Sequence, residues 1–167
     1  MKDPFHIQWH ITNVCNLRCR HCYQEDFSKS KDLDWSGLKK ISDNILAAMK
    51  EWNRGACIHL TGGEPLLKPE LFSLLDYLDQ KSTVEELGII TNGLCFDRGV
   101  VNRLSTFSKL KKIKISLDGA DAEVHDSIRQ KGVFEKVIQS LSMIKQENRF
   151  EIFQSKVCNL KSAIINE

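Results

Sequence analysis

The stretch Ile7-Gln8-Trp9-His10-Ile11-Thr12-Asn13-Val14-Cys15-Asn16-Leu17-Arg18-Cys19-Arg20-His21-Cys22 sets the reading of the whole chain. Its first six residues alternate large apolar with polar side chains, the period of a half-buried strand. Three cysteines follow at a C-x3-C-x2-C spacing, close enough for one loop to wrap a single metal group. Three thiolates are an informative number. An electron-transfer 4Fe-4S cluster normally has a protein sulfur on every iron, whereas three ligands leave one iron open to a substrate or cofactor.

A structural zinc site is the competing reading, and it needs a fourth ligand from His10, His21 or a distant cysteine. His21 adjoins Cys22 and is poorly placed to share its metal. Zinc sites also usually pair their ligands in two separated groups, and no second pair is present. The open cluster therefore ranks ahead of zinc.

Outward from the cysteines, Leu38, Ile41, Ile45, Met49 and Trp52 recur at helical spacing behind a cap at Asp34 or Ser36. A short strand at 56–60 leads into Thr61-Gly62-Gly63-Glu64-Pro65 and then a helix carrying Leu71, Leu74, Leu75 and Leu78, with Pro69 in its first turn. A third strand at 87–90 ends in Thr91-Asn92-Gly93, and a helix covers 97–107. Ile113, Ile115 and Leu117 mark a fourth strand ending at Asp118-Gly119. A last helix runs from Val133 to Ile144, and Phe150–Val157 reads as a fifth strand. Strand and helix alternate throughout, the pattern of parallel strands joined by right-handed crossovers. The expected fold is α/β, a partial parallel (β/α) barrel of about four β/α units plus a fifth strand. Ligands gather at the C-terminal strand ends of such sheets, where the cysteine loop, the Gly-Gly-Glu-Pro loop, Asn92-Gly93 and 116–119 all fall.

With 24 Lys and Arg against 22 Asp and Glu, net charge is +2, so no global field draws the chain to nucleic acid or lipid. The basic run Lys109-Leu110-Lys111-Lys112-Ile113-Lys114 is read as a solvated sheet edge. No apolar segment has the length of a signal peptide core or a membrane span, and a cytoplasmic protein without nucleic-acid or membrane partners is expected. In that reducing compartment six cysteines suit metal or chemistry better than disulfides. Cys57 reads as a core residue, Cys95 approaches the rim without a ligand role, and His59 is a sheet residue.

The C-x3-C-x2-C loop after the first strand, taken with Gly62-Gly63-Glu64-Pro65 after the second, resembles the radical S-adenosylmethionine (SAM) superfamily. Asn16-Leu17-Arg18 and Cys22-Tyr23 further resemble the subgroup that carries a C-terminal SPASM domain and often modifies peptides. The resemblance implies a 4Fe-4S cluster on Cys15, Cys19 and Cys22, with SAM chelating the open iron. Reductive cleavage would then give a 5′-deoxyadenosyl radical that abstracts hydrogen from a small-molecule or peptide substrate, with an external electron donor. It places Gly62, Gly63, Glu64 and Pro65 at the methionyl amino group, His21 at the adenine, and Ser116 and Asp118 at the ribose. Asn92 stands at the family's third-strand terminus, and Arg129 is a forked partner for the SAM carboxylate.

Residues 1–167 are expected to form one core domain of that family, incomplete at the C-terminus and without a SPASM domain. The unpaired fifth strand then invites a second chain to complete the barrel. A noncatalytic cluster-binding fragment or scaffold that requires a partner chain is the alternative.

Overall fold

The computed structural model describes residues 3–154. Five strands, β1 (Phe5–His10), β2 (Ala56–Thr61), β3 (Val84–Thr91), β4 (Leu110–Ile115) and β5 (Glu151–Gln154), form one sheet in sequence order, every pair parallel. Helices α1 (Trp35–Glu51), α2 (Leu71–Asp79), α3 (Arg98–Leu104), α4 (Ala122–Ile128) and α5 (Val133–Lys145) fill the crossovers. The alternating (β/α) reading therefore holds through the start of the fifth strand. Of the expected strand Phe150–Val157, residues 155–157 lie outside the described residues, as does Cys158.

Local chemistry sets the element boundaries. Asp34, not Ser36, caps α1 by accepting from the Gly37 amide at 2.8 Å. Asp97 caps α3 through the Val100 amide and Asp121 caps α4 through the Val124 amide, each satisfying an amide that a helix start leaves without a partner. Helix α4 is an element that apolar periodicity does not announce, because only seven residues are helical and the fully buried one is a histidine, His125. Strand β1 starts at Phe5, and its pairing runs on past His10 through the Ile11 amide to the Thr61 carbonyl at 2.9 Å.

The core lies between the helices and one face of the sheet. Ile58 and Leu60 of β2, Leu87 and Ile89 of β3, and Ile113 and Ile115 of β4 are buried there against Leu71, Leu74, Leu75, Leu78 and Leu104. The other face carries the alternate residues. Register aligns Gln8, His59, Gly88 and Lys112 across four strands, and there His59 and Lys112 both contact Glu86, at 3.1 and 3.0 Å. This corrects the reading of the basic run as a sheet edge. Strand β4 is interior, between β3 and β5, and its pleat turns Lys112 and Lys114 to the face away from the helices.

The two faces of β4 separate in their response to truncation. Ile113→Ala, at a fully buried site, should destabilise the protein by about 2–4 kcal/mol. Lys114→Ala on the opposite face should change it by less than about 0.5 kcal/mol. Urea unfolding of both variants checks this, and equal losses would show the face assignment to be wrong.

Candidate functional site

The cysteine loop leaves β1 and crosses the C-terminal end of the sheet, held there by backbone. The Gly63 amide donates to the Thr12 carbonyl and the Glu64 amide to the Val14 carbonyl, both at 2.8 Å. That approach needs glycine. A Cβ on Gly62 would lie 2.3 Å from the Thr12 carbonyl oxygen, with φ at +150°, and one on Gly63 would lie 2.4 Å from that of Val14. Both contacts are with backbone, so neither could move aside cheaply.

Glu64 has no exposed surface. Its carboxylate accepts from the Leu66 amide at 3.1 Å, the Asn92 amide at 2.8 Å and the Thr91 hydroxyl at 2.9 and 3.0 Å. Burial pushes its pKa up, and these donors oppose that shift. The side chain thus braces the ends of β2 and β3 against each other. Pro65 is buried at the start of a 3-10 turn, Pro65–Leu67. Neither lines the cavity described below, whereas Gly62 and Gly63 do.

A cavity of about 240 Å³ opens over the strand ends. Cys15, Cys19 and Cys22 line it together with Gly62, Gly63, Asn92, Ser116, His21 and Arg129. Nine of the twelve expected site residues therefore converge on one space, and Glu64, Pro65 and Asp118 stand behind it. Burial raises the thiol pKa of Cys15 and of Cys19. Among the described residues no three His, Cys, Asp or Glu side chains are gathered tightly enough for a single metal ion. A donor set of soft sulfurs spread around a cavity fits a polynuclear iron-sulfur group better than one zinc.

Asn92 links the third strand to the loop. Its Nδ2 donates to Asn16 Oδ1 at 2.7 Å and approaches Cys15 Sγ at 3.8 Å. Cys95 lies next to this pair, 3.7 Å from Asn16 Nδ2, and burial pushes its pKa up to about 11. Asp118 accepts from Arg129, whose Nε donates to it at 2.5 Å. The Arg129 Nη1 lies 3.6 Å from Cys19 Sγ. The guanidinium is thus already forked between a carboxylate and a thiol of its own chain. His21 is half exposed, 3.9 Å from Asp118.

Sequence patterns did not single out Gln8, Gln24 and Phe27, which also line the cavity with Leu17. Alternation along β1 does place Gln8 with His10, away from the helices. Phe27 carries no local signal, and at the site the Arg18 guanidinium lies over its ring at 3.8 Å.

A radical SAM superfamily model matches residues 9–155. The antilisterial bacteriocin subtilosin biosynthesis protein AlbA of Bacillus subtilis (strain 168) is 29% identical over 149 residues, 88% of this chain and 32% of its own length. The mycofactocin maturase MftC of Mycolicibacterium smegmatis is 31% identical over 141 residues, 83% of this chain and 33% of its own length. The chain thus spans about a third of these curated relatives. Among solved structures, SuiB of Streptococcus suis with its precursor peptide SuiA superposes with a TM-score of 0.74 at 17% identity, covering 95% of this chain and 34% of that one. Native anSMEcpe with bound AdoMet gives 0.72 at 24% identity, covering 89% and 42%. At these identities the two structures share the fold.

Two outcomes follow from the local geometry. Gly63→Ala should push the cysteine loop off its seat, so that the purified variant keeps its circular dichroism spectrum but retains far less iron after anaerobic reconstitution. Wild-type iron content would contradict the close approach. The second outcome concerns His125, whose Nδ1 accepts from the Asp118 amide at 3.1 Å, leaving the proton on Nε2. Burial, then Arg129, hold its pKa below the ordinary 6.5. The unfolded histidine gains a proton as pH falls through about 6.5 while the native one resists it, so the stability present above that value is lost below it. His125→Phe should cost about 1–2 kcal/mol at pH 7.5, from the unpaired Asp118 amide. It should also lose less stability than wild type between pH 7.5 and 5.5 in urea unfolding, and an unchanged pH dependence would refute the assignment.

Proposed function

The chain belongs to the radical SAM superfamily, and from that premise we propose that its cavity holds a 4Fe-4S cluster on Cys15, Cys19 and Cys22 with SAM beside it. The convergence of three cysteine thiols and the glycine loop on one cavity carries this reading. When bound and reduced, the cluster and SAM supply a 5′-deoxyadenosyl radical that abstracts hydrogen from substrate.

The chain's own residues supply position and environment. Gly62 and Gly63 offer backbone at the cavity wall, close enough for an ammonium group to approach carbonyl oxygens with no side chain between. Ser116 presents a hydroxyl suited to a ribose, and the half-exposed ring of His21 suits an adenine face. Arg129 lines the cavity beside Cys19 and has donors for a carboxylate in addition to its bond with Asp118. Asn92 ties the end of β3 to the loop through Asn16. Leu17 and Phe27 make part of the wall apolar, which limits the access of water to a reactive intermediate.

The curated relatives include a bacteriocin biosynthesis protein and a mycofactocin maturase, and the structural neighbour SuiB was solved with its precursor peptide SuiA; in keeping with that neighbour the proposed substrate is a peptide. The electron comes from an external donor. Among the described residues no helix is long and apolar enough to cross a membrane.

Anaerobic reconstitution, followed by SAM and dithionite, should give 5′-deoxyadenosine and methionine in equal amounts. Replacing Cys15, Cys19 and Cys22 together by Ala should abolish both iron uptake and deoxyadenosine. A fully cluster-loaded wild-type chain that releases no deoxyadenosine would defeat the enzymatic reading and favour the scaffold that needs a partner chain. Retention of a full cluster by the triple variant would overturn the ligand assignment.

A further inference from the structure

Lys68 is a buried cation that neither ligand binding nor the fold's core accounts for. Its side chain is 2% exposed, and a buried ammonium is stable only when its charge and its N–H groups are met. Here its Nζ donates to the Leu33 carbonyl at 2.8 Å and lies 3.5 Å from Asp32 and 3.4 Å from Glu70. Asp32, in turn, accepts from the Asn13 amide at 2.8 Å and from the Thr12 hydroxyl. The same hydroxyl oxygen accepts from the Val14 amide at 3.1 Å. A chain of one ion pair and successive hydrogen bonds therefore runs from Lys68 through Asp32 to the residue immediately before Cys15.

Both ends of this chain belong to the site. Lys68 directly follows the 3-10 turn that begins at Pro65, and its amide donates to the Pro65 carbonyl at 3.0 Å. Thr12 and Val14 are the residues whose carbonyls receive the Gly63 and Glu64 amides. One segment of the glycine loop thus holds the start of the cysteine loop from the backbone side, and Lys68 holds it from the other side through Asp32. Gln24 adds a third tie, donating to the Asn13 carbonyl.

We infer that Lys68 and Asp32 are positioning residues, a latch that fixes Thr12–Val14 and thereby sets where the first cluster thiolate is presented. The inference rests on the cluster reading above. Neither residue touches a ligand, and the latch acts through the conformation of the loop alone. Removing the lysine leaves Asp32 and Glu70 facing each other without a cation, and the Asp32 carboxylate then gains by turning to water and releasing Thr12 and Asn13.

The test compares wild type with Lys68→Met, Lys68→Arg, Asp32→Asn and the core variant Leu78→Ala, all as the full chain. Hydrogen exchange on the cluster-free proteins reads the latch directly. The Asn13 and Val14 amides should exchange faster in Lys68→Met than in wild type, with the Lys68→Arg variant lying between. On reconstituted proteins, iron release to a chelator should be about tenfold faster in Lys68→Met, the lower end of what loss of an outer-shell partner costs. The EPR signal of the reduced cluster should broaden. Leu78→Ala, which lowers stability from α2, should leave both the exchange of these two amides and the release rate near wild type.

Unchanged amide exchange in Lys68→Met, iron release within twofold of wild type, or equal acceleration by Leu78→Ala would each overturn the latch. Should Lys68→Met fail to fold, Asp32→Asn at a partly exposed position carries the same test with the same direction expected. A wild-type chain that takes up no cluster would defeat the ligand reading instead, and amide exchange still reports on the latch.

Discussion

Two backbone hydrogen bonds, from the amides of Gly63 and Glu64 to the carbonyls of Thr12 and Val14, are the constraint on which the site depends. They bring the end of β2 against the start of the cysteine loop at a distance that leaves no room for a side chain on either glycine. The remaining ties extend that junction around the rim. Glu64 continues it to β3 through Thr91 and Asn92, Asn92 returns it to the loop at Asn16, and Arg129 joins the loop to the segment after β4 through Asp118. Each connection is a polar contact near the C-terminal end of a parallel strand, where no further ladder bonds compete for the backbone.

The electrostatics of this rim follow from burial. An enclosed carboxylate at Glu64 and partly enclosed thiols at Cys15 and Cys19 all have raised pKa values, with desolvation the leading cause. The Glu64 charge itself adds to the rise at Cys15. Binding of a cationic metal group would displace the thiol protons and neutralise the thiolate charge that burial makes costly. Arg129 works in the opposite sense at Cys19, as a nearby positive charge. The three sulfurs are therefore not equivalent, Cys22 being the exposed one.

Much of this was legible in the residues because periodicity and loop chemistry coincide. The strands at 56–60 and 87–90, the long first helix and the Leu71–Leu78 helix face were set by spacing of apolar side chains, and parallel connectivity then put the cysteine and glycine loops on one rim. What escaped has tertiary causes. Helix α4 is short and buries His125, so no apolar stripe marks it. Glu64 and Asp118 were expected at SAM from the family resemblance, and only the fold shows that the first also accepts from the Leu66 and Asn92 amides and the second from Arg129, eleven positions away in sequence. Asp32 and Lys68 carry no sequence pattern that pairs them, since only the fold brings them together beneath a loop.

The face of the sheet turned from the helices is built for a polar environment. A closed parallel barrel packs its interior with bulky aliphatic side chains in layers. Here the inward positions of β2, β3 and β4 include His59, Glu86, Gly88, Lys112 and Lys114. Glu86 is shared by His59 and Lys112, so the lower part of this face is nearly charge-balanced. A Cβ at Gly88 would lie 2.6 Å from the His59 ring, which fixes that ring across the floor. Such a surface cannot be buried against another apolar layer without stranding its charges. It is suited to water or a polar substrate, and it lies directly below the rim on which the three cysteines and the glycine loop converge.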